Sequence, residues 1–180
     1  MLGVFYAVSE MALAIGRRSG ATDASRDRYS LRIIWMVIWV AVGCGILTVS
    51  FFPAGTLPHR HQFYLLGLLF FVAGVVLRWY SIIHLGRYFT VDVAIAEKHT
   101  LIDSGPYRLI RHPSYTGALL AFFGLGLCLG NWLSLLFVTV PILAAFLWRI
   151  HVEEDALTDA LGEVYVAYAR QTKRLIPFVY

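Results

Sequence analysis

A chain of 180 residues that is 59% apolar, 15% aromatic and only 14% charged lies far from the roughly 25% charged residues of a soluble domain. This excludes a soluble globular protein and points to an integral membrane protein, organised as one domain over 1–180 because no Ser/Gly-rich linker divides it. The net charge of +4 goes with membrane topology and anionic lipid headgroups rather than nucleic acid. The two cysteines, Cys44 and Cys128, sit in apolar runs without CxxC spacing, so neither a disulfide framework nor a zinc site is expected.

The first apolar segment, 2–15, is short against the roughly 20 residues of a perpendicular span, and it carries Glu10. A loop with Arg17, Arg18, Arg26, Arg28 and Arg32 follows, then a comfortable span at 33–52. Pro53 and Pro58 mark a turn, 63–83 forms a third span, and a polar connection runs over 84–112. The fourth and fifth spans, 113–129 and 132–150, are joined only by Gly130 and Asn131, which requires a tight antiparallel hairpin. From His151 the pattern changes: Val152, Ala156, Leu157, Leu161, Val164, Tyr165 and Tyr168 recur at three- and four-residue intervals among acids, which predicts an amphipathic helix at the interface. The fold class is therefore all-α and multi-pass, with about five spans.

Loop charges set the orientation. Basic residues gather in the 17–32 loop, in the 84–112 connection and after the fifth span, at Arg149, Arg170, Lys173 and Arg174, whereas the intervening loops offer Arg60. The positive-inside rule then puts the amino terminus outside and the carboxyl terminus in the cytoplasm. The connection and the tail share that cytoplasmic side, within reach of a water-soluble cofactor.

Between two apolar segments, 104–117 reads Ser-Gly-Pro-Tyr-Arg-Leu-Ile-Arg-His-Pro-Ser-Tyr-Thr-Gly. Pro106 and Pro113 each remove a backbone donor and push the preceding residue out of the α region, so this cannot be one uninterrupted helix. Pro113 suits the first turn of a helix beginning there, and the free amides at that start, with Arg111 and His112 beside them, suit a carboxylate or other polar ligand. Arg149, Glu153 and Glu154 are costly in apolar surroundings and face a cavity or a partner. Arg149 and Glu153, four apart, could form an intrahelical ion pair or a polar wall that holds a charged ligand. The glycines of 124–130 lie inside a span with no preceding strand, which favours close helix packing over a nucleotide loop.

Five motifs carry a family resemblance: His99-Thr100-Leu101-Ile102; Ser104-Gly105-x-Tyr107; Arg111-His112-Pro113-Ser114-Tyr115-x-Gly117; Arg149-x-x-x-Glu153-Glu154; and Gly162-Glu163-x-Tyr165-x-x-Tyr168. In order and spacing they resemble the isoprenylcysteine carboxyl methyltransferase family over roughly 78–178, with phospholipid methyltransferases and sterol reductases as more distant kin. The resemblance implies a prokaryotic-type, S-adenosylmethionine-dependent membrane methyltransferase without a Rossmann sheet, its cofactor site formed by 83–117 and 149–180. By the family pattern His99, Thr100, Leu101 and Ile102 line the adenosine side, Tyr107 and His112, Pro113, Ser114 and Tyr115 hold the cofactor, Glu153 faces its polar groups, and Asp92 completes the pocket. Arg149 contacts the substrate carboxylate, with Arg111 nearby as the second catalytic residue. The implied acceptor is a prenylated peptide or another lipidic small molecule entering from the bilayer. The implied location is a bacterial or archaeal plasma membrane. A phospholipid N-methyltransferase, an NADPH-dependent sterol-reductase-like enzyme and a non-enzymatic membrane scaffold stay open as alternatives.

Overall fold

A computed structural model describes residues 30–86 and 101–180. The first apolar segment and its Glu10, most of the 17–32 loop, and Asp92, His99 and Thr100 lie outside the described residues. The helices in chain order are α1 (Ser30–Phe51), α2 (Arg60–Leu85), α3 (Pro113–Cys128), α4 (Trp132–Leu161) and α5 (Glu163–Gln171), with 3-10 turns at Pro53–Gly55 and Gly105–Arg108. Among the described residues only two isolated bridges, Thr56 with Asn131 and Ile110 with Lys173, have β character. Three helices, α1, α2 and α4, are long and apolar enough to cross a membrane, and α3 is a shorter apolar helix.

The chain folds this way because the apolar segments have two kinds of face. Ile34 and Ala41 of α1, Phe71 of α2, Ala118, Ala121 and Phe122 of α3, and Val138, Ile142 and Phe146 of α4 form one buried core. The opposite faces expose Trp39 and Val40 of α1, Leu69, Val76 and Ile83 of α2, and Val140 of α4 at more than half of their surface, which suits hydrocarbon rather than water. The multi-pass membrane architecture follows from that outer belt.

In the bundle α2 packs on α3, α3 on α4, and α4 on α1. The α2–α3 seam is glycine-lined. A Cβ built on Gly74 would lie 2.5 Å from the Gly117 carbonyl oxygen, and one on Gly67 would lie 2.6 Å from that of Gly124. Without a hydrophobic driving force between helices in lipid, such close backbone approach supplies the packing. Gly124 thus serves helix contact, as expected for the 124–130 run, and Gly126 likewise abuts Leu135 of α4. At one end of the bundle Asn131 caps α4, its Oδ1 accepting from the Leu133 amide (2.9 Å), while its Nδ2 donates to the Phe52 carbonyl (2.8 Å).

The expected amphipathic helix after His151 needs correction. The fifth span continues as one helix to Leu161, passing Pro141, and then breaks at Gly162, whose φ of 55° favours glycine. Val152, Ala156, Leu157 and Leu161 therefore extend α4, whereas Tyr165 and Tyr168 belong to the separate short helix α5. Val164 is 59% exposed and lies off the buried stripe.

Candidate active site

The opposite end of the bundle gathers the polar residues. The 3-10 turn Gly105–Arg108 buries Tyr107, whose hydroxyl donates to the Ser81 carbonyl at 3.3 Å and whose own carbonyl accepts from the Tyr168 hydroxyl at 2.6 Å. The Tyr107 ring stacks on His84, with centroids 6.3 Å apart. Pro113 opens α3, as its fixed φ and missing amide favour. The segment after α5 then crosses that helix start as a strap. The Arg111 amide donates to the Lys173 carbonyl (2.7 Å), the His112 amide to that of Arg174 (3.0 Å), and the Thr116 hydroxyl to that of Leu175 (2.8 Å).

Glu154 is the hub that fastens the strap. Its Oε1 lies 2.8 Å from Arg111 Nε and 3.2 Å from His112 Nε2, and its Oε2 lies 2.8 Å from Arg174 Nε. Arg111 also donates from Nη1 to the carbonyls of Ala169 (2.9 Å) and Thr172. Three donors on one largely buried carboxylate are charge-assisted contacts, stronger than neutral ones. The bond to Glu154 raises the Arg174 guanidinium further above its ordinary value.

Glu153, one residue earlier and so about 100° around the helix, faces a different cluster. It accepts from the Tyr115 hydroxyl at 2.9 Å. Arg149 lies beside the same hydroxyl and donates from Nη1 to the Ser30 hydroxyl at the start of α1. Arg149 is only 2% exposed. The Tyr115 ring sits 5.3 Å from Phe146 and 5.6 Å from His112, centroid to centroid. Leu101 and Ile102 are half-buried just before the 3-10 turn, and Pro113 and Ser114 are buried, with Arg78 donating to the Ser114 carbonyl at 3.2 Å. Tyr107, Arg111, His112, Tyr115, Arg149 and Glu153 therefore come together at one end of the bundle. Among the described residues no cluster of His, Cys, Asp and Glu could hold a metal ion.

The family model for "Isoprenylcysteine carboxyl methyltransferase (ICMT) family" matches residues 65–159, which include most of this cluster. The chain belongs to the isoprenylcysteine carboxyl methyltransferase family. It is 30% identical over 178 residues to protein-S-isoprenylcysteine O-methyltransferase B of Arabidopsis thaliana, covering 98% of this chain and 89% of the relative. It is 36% identical to the A form from the same plant over 63% of this chain and 58% of that relative. The solved structure of the eukaryotic intramembrane Ras methyltransferase ICMT without a monobody superposes with a TM-score of 0.64 at 31% identity, over 82% of this chain and 52% of that one. The protein is thus an integral membrane methyltransferase of this family. These plant relatives are eukaryotic and do not show the prokaryotic-type reading.

A methyl donor of the kind such an enzyme requires finds fitting chemistry here. The Tyr165 hydroxyl is buried and has no hydrogen-bond partner among the described residues, an orphan that a polar ligand could satisfy. Tyr165 and Tyr168 pack ring to ring at 6.1 Å, and electron-rich rings of this kind suit a cation. Burial pushes the Tyr168 phenol up to about 12 and raises those of Tyr107 and Tyr165 as well, so these groups remain neutral hydrogen-bonding partners.

Sequence reasoning missed four participants. Glu154 was visible as a costly acid, but nothing in spacing said that it would hold three side chains from two segments. Arg174 looked like a positive-inside charge. Ser30 lies 119 positions from Arg149, too far for any local pattern. Tyr165 stood in the Gly162–Tyr168 motif, but nothing there said that its hydroxyl would be buried without a partner among the described residues.

Proposed function

We propose that this chain is an S-adenosylmethionine-dependent carboxyl O-methyltransferase acting on an isoprenylcysteine-like or other lipidic acid at the membrane. The observation that carries the proposal is Arg149, a guanidinium kept 2% exposed inside an apolar bundle. It stands beside the Tyr115–Glu153 pair. A buried charge is costly and is retained where it has a partner or a task.

The chemistry suits these residue types. A substrate carboxylate, with a pKa of about 3.3 to 3.7 in its unperturbed form, is ionised at neutral pH and needs no general base. When bound, S-adenosylmethionine supplies an electrophilic methyl group on a sulfonium. Arg149 grips the carboxylate through two parallel bonds and leaves one oxygen lone pair aimed for attack, a task a lysine performs less well. The apolar walls keep out water that would solvate the nucleophile. Glu153, Tyr115 and Tyr107, with Leu101, Ile102 and the His112–Tyr115 run, would hold the cofactor, and the family pattern adds His99, Thr100 and Asp92 to them. Arg111 is spent largely on Glu154 and on two carbonyls, so it acts by placing His112 and the start of α3.

The segments 83–117 and 149–180 form this site within one domain. Loop charges support a cytoplasmic location for it. Calorimetry on the purified protein is the test of the cofactor: S-adenosylmethionine should bind and NADPH should not. Binding of NADPH alone would favour the reductase reading and end this one.

A further inference from the structure

The carboxyl-terminal residues make a small closed hook that the methyl-transfer reading does not use. After Leu175 the chain turns back: the amides of Leu175 and Ile176 both donate to the Tyr180 carbonyl at 2.7 Å, and those of Val179 and Tyr180 donate to the Ile176 carbonyl at 3.1 Å. Arg174 closes it from the side, 5.6 Å over the Tyr180 ring and 3.1 Å from its hydroxyl. Within this hook Phe178 adopts a φ of 66°, a conformation unfavourable for a bulky residue. Its side chain is nevertheless 89% exposed, and Val179 is 71% exposed. Ile176 and Leu109 are exposed by more than half, and the Ile110–Lys173 bridge sets Leu109 beside the strap.

Two observations indicate what covers this apolar cluster. The first is depth. The hook is tied to Thr116, the fourth residue of α3, about one turn into that helix. The 16 residues of α3 make about 24 Å, less than the ~30 Å hydrocarbon core. A segment fastened one turn inside so short a helix lies at the boundary of headgroups and acyl chains. The second is charge. Arg108, Arg170 and Lys173, next to Leu109 and the strap, are all exposed, and apolar side chains ringed by basic ones match an anionic lipid surface.

We infer that the hook 176–180, with Leu109, is an interfacial anchor that inserts Phe178 and Val179 into the leaflet on the site side, with Arg108, Arg170 and Lys173 on anionic headgroups. This inference does not depend on the methyl acceptor.

The test uses the full chain with Phe178 replaced by the fluorescent amino acid dansylalanine, in bilayers of phosphatidylcholine alone or with about 30% phosphatidylglycerol, an anionic content in the physiological sense. Lipid carrying a shallow doxyl quencher should remove most of the emission, and aqueous iodide little. Quenching should be stronger with phosphatidylglycerol, and the Arg170→Glu/Lys173→Glu variant should lose that difference. The same probe at position 179 repeats the measurement should substitution at 178 disturb the hook. Iodide access without lipid quenching overturns the anchor. So does shielding from both quenchers, or quenching that changes with the protein-to-lipid ratio, since either places protein rather than lipid on the hook.

Discussion

Glu154→Ala separates structural from ligand-facing acids at this site. The substitution removes the acceptor of Arg111, His112 and Arg174 together. Breaking a largely buried ion pair costs about 3–5 kcal/mol, and the Arg174 arm, with its side chain a third exposed, adds at most about 1 kcal/mol. Arg111 keeps the carbonyls of Ala169 and Thr172, so the lower end, about 3 kcal/mol, is the expectation. At 1.36 kcal/mol per tenfold change, strap opening becomes about 150-fold more populated. Hydrogen exchange in detergent reads this at the Arg111 and His112 amides, which donate to strap carbonyls. Glu153→Ala removes one acceptor from Tyr115, so it should leave those amides protected while weakening S-adenosylmethionine binding. Equal protection of both amides in wild type and Glu154→Ala would refute the hub.

Gly74→Ala places a Cβ 2.5 Å from backbone atoms of Gly117 and Ala121; overpacking of about 1–3 kcal/mol should lower the thermal midpoint in detergent, and an unchanged midpoint would remove the glycine seam as the basis of α2–α3 packing. Arg149→Lys should lower methyl transfer strongly with little change in cofactor affinity, since a point charge replaces a planar fork; near-normal turnover with weakened cofactor binding would instead make Arg149 a structural partner of Glu153. Burial raises the Tyr168 phenol from 10.0 to about 12, so its contribution is complete below pH 10 and is lost as pH rises towards 12. Thermal midpoints at pH 9 and 11.5 should show a decline that is smaller in Tyr168→Phe, and an equal decline in both proteins would assign the effect to other groups.

Where apolar length decides structure, the sequence was legible. The expected spans 33–52, 63–83 and 113–129 became Ser30–Phe51, Arg60–Leu85 and Pro113–Cys128, because hydrocarbon length and proline placement fix those ends locally. The run past His151 misled because acids replace apolar residues there without changing helix propensity. Only Gly162, with its positive φ, ends the helix, and it does so eleven residues later than the polarity suggests. At the site, the motif order placed Tyr107, His112, Tyr115, Arg149 and Glu153 at one end of the bundle. The partners of Glu154 were illegible, since Arg111, His112 and Arg174 lie 43, 42 and 20 positions away and meet it only through tertiary contact. Such a pairing leaves no period in the chain.

Carboxyl methylation of a lipidic acid is distinguished from amine methylation by comparing two acceptors. Purified protein in lipid bilayers would be given methyl-labelled S-adenosylmethionine with either a prenylcysteine acid or phosphatidylethanolamine. Label should appear in the prenylcysteine product, released as methanol by mild base as a methyl ester must be, and none in phosphatidylethanolamine. Base-stable label on phosphatidylethanolamine, with the acid left unlabelled, would contradict it.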